Sequence, residues 1–369
     1  MTIEQQTLFS LLKLGLGNVE RCNIPDHIDW EQLMVLSQMH GVESIVLDGV
    51  ERWNEEGKDK IQISQKTLLQ WIGAVSQQEL RYHQQIYLMK ELADFYAKHD
   101  IRMMVVKGWG LSLNYPRPEH RNCSDLDIYL YGEQEKADRL LHNERGIEID
   151  NSHHHHTVFN YKGLSVENHY DFLNVYSHLS NKKIEKLLKE LANRRKMEYI
   201  NDEMSDANHQ LSSVILPSAD FNVLFILRHT AIHFAGSAMN IRQIIDWGLF
   251  VKKNHNEVNW NALLPFIKEM NMDKFYDAQN YICYHYLGFD KSLFRMIGDG
   301  EYGDRVFQDL FNPENTKPKE KGTIRYVHSR FQKWWRNRWK HHIVYSEGLF
   351  TTFCVQVISH LMKPATLHN

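Results

Sequence analysis

Asp125 and Asp127 stand two residues apart in Ser124-Asp125-Leu126-Asp127-Ile128-Tyr129-Leu130. The segment reads as a strand. Side chains alternate along a strand, so both carboxylates project from one face, with Leu126 and Ile128 on the other. Two carboxylates on one face repel each other unless a cation lies between them. A divalent metal is the usual solution, and Mg²⁺ accepts one or two carboxylates together with substrate phosphates.

The elements that must position this pair come just before it. Met103-Met104-Val105-Val106 is a short apolar run that reads as a buried strand. It ends in Lys107-Gly108-Trp109-Gly110, a turn opening a short helical segment, and a Pro-interrupted loop, Tyr115-Pro116-Arg117-Pro118, follows. Gly108 would let backbone N–H groups approach a phosphate at a helix start. Lys107 either adds charge there or is solvated. Arg121 can fork onto a phosphate or pair with the acidic strand.

The chain around this core is largely helical by pattern. Leu8, Leu11 and Leu12 recur at helical spacing, Asp29 can cap a second helix, and a long helix is expected over Ser64 to His99. Glu133 to His142 reads as helical. Phe221, Leu224, Phe225, Leu227, Ile232 and Phe234 make a nearly all-round apolar helix, and another starts at Asn240. The expected organisation is an N-terminal helical region (1–100), an α/β core (101–175) and a C-terminal helical region (176–369), with a Pro/Lys-rich break at Pro313 to Gly322.

Composition excludes several classes. A net charge of −3 argues against a general nucleic-acid coating protein. Cys22, Cys123, Cys283 and Cys354 form no CxxC pair, which fits a reducing compartment without a zinc knuckle. No signal peptide and no bilayer-spanning run is read, so a cytoplasmic location is expected.

The ordered string Lys107-Gly108, Leu111, Tyr115-Pro116-Arg117-Pro118, Arg121 and Ser124-Asp125-Leu126-Asp127 resembles the bacterial uncharacterised nucleotidyltransferase family, a branch of the polymerase-β-like nucleotidyltransferase superfamily. The likeness covers most of residues 30 to 250. It continues in a His-His pair within His153 to His156, a turn at Tyr161-Lys162-Gly163, and a strand Leu164-Ser165-Val166-Glu167-Asn168-His169. Two strands joined by a tight turn make a hairpin, which can bring Glu167 to face Asp125 and Asp127.

The resemblance implies an α+β fold, a polymerase-β-like core with a small mixed sheet between helical flanks. It implies Asp125, Asp127 and Glu167 as catalytic residues and as ligands of Mg²⁺ or Mn²⁺, with a nucleoside triphosphate as substrate and an unknown hydroxyl acceptor. Lys107, Gly108, Arg121, Ser124, His155, His169, Arg242 and Asp246 are the implied nucleotide- or substrate-binding positions. The wider superfamily has Gly or Ser after the turn glycine, and here Trp109 stands there. That departure motivates the alternative, a nucleotide- or partner-binding module that keeps the fold without turnover.

Other histidines and a basic segment complete the candidates. Four adjacent imidazoles, His153 to His156, cannot all converge on one ion, and strand geometry would put alternate rings on one face. His229 and His233 are at i, i+4, but Thr230 replaces the glutamate that a zinc protease needs, so a helix pair facing the site is favoured. Arg242 and Asp246 have the same spacing and either pair with each other or contact the nucleotide. Lys317 to His342 holds nine Lys/Arg and one Glu, with Trp334, Trp335 and Trp339 interleaved. Packing onto the domain is favoured there over nucleic-acid or membrane binding.

Overall fold

A computed structural model describes residues 1–25, 27–56, 62–193, 214–236, 239–311, 332 and 335–362. Its centre is a five-stranded sheet formed by β1 (Met103–Val106), β2 (Asp125–Tyr129), β3 (His156–Tyr161), β4 (Leu164–His169) and β5 (Val214–Ile215). The order across the sheet is β3-β4-β2-β1-β5. β1 runs antiparallel to β2, β3 antiparallel to β4, and the β2–β4 and β1–β5 pairs are parallel. The expected mixed α+β fold with a small mixed sheet and helical flanks is what forms. The two-residue β5 was not foreseen.

Strand alternation sorts the sheet into two unlike faces. Met103, Val105, Leu126, Ile128, Phe159, Tyr161 and Val166 join one core with α4 (Gln65–Ala97) and α6 (Gln134–Arg145). Met104, Val106 and Tyr129 join the second core, shared with helices from both ends of the chain. The polar residues of interest lie on this second face.

Local signals account for the main elements. Ser64 caps α4 by accepting from the Thr67 N–H. α1 (Ile3–Gly15) and α3 (Glu43–Glu56) approach so closely that a Cβ on Gly15 would lie 2.0 Å from the Ile45 carbonyl oxygen, and one on Gly49 would lie 2.1 Å from that of Leu11. Only glycine fits either crossing. α8 (Ala219–Gly236) is apolar nearly all round and buried on most sides. α9 (Ile241–Asn254) starts with a capping box between Asn240 and Gln243. α11 (Asp273–Tyr286) and α12 (Gly303–Asp309) close the second core.

The C-terminal residues fasten onto this body. Lys340, 1% exposed, pairs with Asp309 at 2.5 Å, and Trp339 lies edge-on to Phe234 at 5.4 Å beneath the Arg305 guanidinium. This part of the basic Trp-containing segment therefore packs. Residues 317–331, Lys333, Trp334 and the Pro/Lys-rich break lie outside the described residues. Among the described residues no helix is long and apolar enough to cross a membrane.

A buried histidine ties α9 to the N-terminal helices. The His40 Nδ1 accepts from the Ile241 N–H at 3.4 Å, and burial holds its pKa down at about 4. Its folded-state pKa lies below the ordinary 6.5, so the unfolded chain takes up the proton first as pH falls. The stabilisation is complete above pH 6.5 and is lost toward pH 4, by at most about 3 kcal/mol. The thermal midpoint is expected to drop over that window and to drop less steeply in His40→Gln. An unchanged slope in the variant would exclude His40 as the source.

Candidate active site

The parallel register of β2 and β4 sets Asp127 directly beside Glu167, Asp125 beside Ser165 and Tyr129 beside His169. These side chains share the second face. The His169 Nε2 lies 2.9 Å from the Asp127 Oδ1 and 3.5 Å from the Glu167 Oε2. Asp127, Glu167 and His169 each offer a ligand atom within 4.8 Å of the other two. Asp125, at the edge of the strand, accepts from the Ser124 hydroxyl at 2.7 Å and falls outside this trio. Of the three expected carboxylates, the structure thus joins Asp127 and Glu167 and adds His169.

Lys107 completes the cluster. Its Nζ lies 2.7 Å from the Asp127 Oδ1 and 5.6 Å from the centre of the Phe225 ring on α8. The residue is held at φ 53° and ψ −137°, an uncommon conformation for a side chain with a Cβ. Gly108 follows at φ 23°, opening the short helix α5 (Gly108–Ser112). Conformational cost of this kind, about 1–3 kcal/mol per residue, persists where the surroundings fix it, often at functional sites. Here it aims the lysine at the acidic pair.

The charges are strongly coupled, because Asp127 is only 2% exposed. Burial alone would raise the Glu167 pKa, but the hydrogen bond from His169 and the charge of Lys107 outweigh it and hold the carboxyl at about 2. Burial would likewise favour neutral Lys107 and neutral His169. The carboxylates of Asp127 and Glu167 reverse both effects and raise both pKa values. The cluster is an acidic pair flanked by a lysine and a histidine whose charged forms it favours.

More imidazoles surround it. The ring centres of His155 and His156 lie 5.6 and 5.1 Å from that of His169. Burial, then the His169 charge, depresses both, His156 to about 4. On α8, His229 and His233 sit edge to face at 4.5 Å. Burial, then the Lys107 charge, lowers the pKa of each, so both rings are neutral at pH 7.

Three other expected positions do structural work. Arg121 forks onto Asp246, Nε to Oδ1 at 2.8 Å and an Nη to Oδ2 at 2.9 Å, and the Tyr115 hydroxyl donates to the same carboxylate at 2.7 Å. Arg121 therefore turns away from the acidic strand. Asp246 takes this long-range partner rather than Arg242 one helical turn away, and Arg242 donates to the Asn122 carbonyl at 2.6 Å. Burial against the loop before β2 gives the carboxylate a forked and stronger partner. Sequence reasoning missed His156, hidden in a run of four like residues. It also missed Tyr115 as a partner of Asp246, because nothing local links residues that far apart.

Two carboxylates and an imidazole within reach of one point suit a divalent cation: carboxylates are the donors of Mg²⁺ and Mn²⁺, and the lysine ammonium already lies against Asp127. No curated protein and no solved structure matches the chain. The model of the uncharacterised nucleotidyltransferase family matches residues 26–288. That span includes the whole sheet and every residue of the cluster, and the chain belongs to the uncharacterised nucleotidyltransferase family.

Proposed function

We propose that the protein transfers a nucleoside monophosphate from a nucleoside triphosphate to a hydroxyl acceptor, with Mg²⁺ or Mn²⁺ held by Asp127 and Glu167 and, at the strand edge, by Asp125. The observation that carries this reading is the in-register Asp127–Glu167 pair with Lys107 against it, in a chain of this family. When bound, the cation would polarise the reacting phosphate and offset the charge of the leaving pyrophosphate.

The chain's own groups have distinct parts in this proposal. Lys107 neutralises Asp127 in the free protein and is the nearest donor for a phosphate oxygen. His169, whose pKa the two carboxylates raise, lies within 2.9 Å of Asp127 and 3.5 Å of Glu167 and orients them. His229 and His233, neutral on the facing helix, are the rings able to take the proton of the acceptor hydroxyl. Arg121 and Asp246 hold the loop that leads into β2.

Calorimetric titration with ATP and with GTP, in Mg²⁺ and again in EDTA, tests the reading. Nucleotide binding that needs the metal is expected. One observation favours the second reading, a binding module without turnover: Asp127 is already compensated by Lys107 and His169. Metal-dependent binding without pyrophosphate release across an acceptor screen would select that module. No binding of either nucleotide would end the transferase reading.

A further inference from the structure

We propose that His155, His156 and His169 form a separate site for a borderline divalent transition ion such as Zn²⁺ or Co²⁺, beside the carboxylates. Each of the three offers a ring nitrogen within 4.8 Å of the other two. Imidazole favours such ions, whereas carboxylates favour Mg²⁺, so the donors divide the cluster into two chemically different halves joined at His169.

The spacing fits one ion. A tetrahedral ion with nitrogen ligands at about 2.0–2.1 Å places ring centres about 5 Å apart. The three separations here are 4.3, 5.1 and 5.6 Å. Closing the nitrogens to bonding geometry needs shifts of about 1 Å or less.

The backbone explains how adjacent histidines converge. On a regular strand His155 and His156 would point to opposite faces. The chain instead bends through 153–155 and enters β3 only at His156. The His155 carbonyl accepts the N–H groups of Tyr170 and Asp171, both at 3.1 Å, which pins the bend to the exit of β4 next to His169. This backbone tie is set before any ion arrives.

The second observation is a pair of orphaned atoms. The Nδ1 nitrogens of His155 and His156 are buried without a hydrogen-bond partner, and His156 as a whole is 94% buried. A buried polar atom normally has a partner, and an unpartnered one calls for an explanation such as an ion. Metal ligation would satisfy nitrogens that the protein leaves unmatched. The site does not depend on nucleotidyl transfer.

The test uses full-length protein stripped with chelator and titrated with Co²⁺, followed by visible absorption. One equivalent is expected to give a four- or five-coordinate ligand-field spectrum, displaced by Zn²⁺ but not by excess Mg²⁺. Replacing both His155 and His156 by alanine should weaken Co²⁺ binding roughly 100-fold or more. Replacing both His153 and His154 should change it less than about threefold, since those rings lie outside the trio. Equal losses in the two double variants would mean nonspecific chelation by the histidine run and would overturn the proposal, as would no Co²⁺ binding at all.

If the His155/His156 variant does not fold, X-ray absorption of the Zn²⁺-loaded wild type decides. Three imidazole scatterers support the site and fewer overturn it. Asp125→Asn separates the two readings, because it should retain Co²⁺ affinity whether or not nucleotide binding survives.

Discussion

Exchanging Asp127 for asparagine is expected to abolish metal-dependent nucleotide binding and to cut transfer by about a thousandfold. The amide keeps the size of the side chain and removes its charge. A ligated divalent ion contributes several kcal/mol of charge stabilisation, and about 4 kcal/mol corresponds to three powers of ten in rate. Asp127 is also the shared partner of Lys107 and His169, so its loss leaves both with Glu167 alone. Thermal unfolding without nucleotide reports that structural share separately. A variant that turns over within about threefold of wild type would remove Asp127 from the reacting centre.

The largest stability effect is expected from Asp246→Ala. It leaves the Arg121 guanidinium buried, with both forked hydrogen bonds gone and the Tyr115 hydroxyl unpaired. Removing one partner of a buried ion pair costs about 3–5 kcal/mol, because the remaining charge stays out of water. Denaturant unfolding should show a lower midpoint at unchanged slope. A second exchange, Arg121→Met, should recover part of the loss, since it removes the stranded charge. A cost below about 1 kcal/mol for Asp246→Ala would show that the guanidinium relaxes to solvent, and the pair could then not be what fixes the loop.

The parts legible in the sequence were those set by local rules. The Asp125-Leu126-Asp127 alternation gave a strand with an acidic face. The turn at Lys162-Gly163 forms as expected, with φ of 53° and 93°, positive at both positions as a two-residue hairpin loop prefers. Asn240 starts α9 as its capping chemistry requires. The facing of Glu167 and Asp127 was expected from the resemblance, but the exact nonlocal register was not legible. The parallel register that matches Glu167 with Asp127, and leaves Asp125 opposite Ser165, depends on which strands become neighbours. No spacing rule encodes that choice. The same holds for Arg121 and Asp246, which meet only after the helices close over the sheet. The convergence of His155 and His156 was hidden for a different reason: strand alternation forbids it, and only the bend at 153–155 permits it.

The parallel pairing of β2 with β4 also has a kinetic consequence. The β3–β4 hairpin is local and can close in about 1–10 μs. Asp127 and His169 lie 42 positions apart, and β2 meets β4 only after α6 and β3 have been laid down between them. Nonlocal pairing of this kind is the slow part of folding, since loop closure precedes any compensating contact. The Asp127–Glu167 contact belongs to that nonlocal pairing, so it is expected to form with the slow step rather than with the hairpin. Lys107, just past the end of β1, supplies a counter-charge 2.7 Å from Asp127 in the folded chain. Glu167 and His169 share β4, so the strand that brings the second carboxylate to Asp127 also brings an imidazole partner for both.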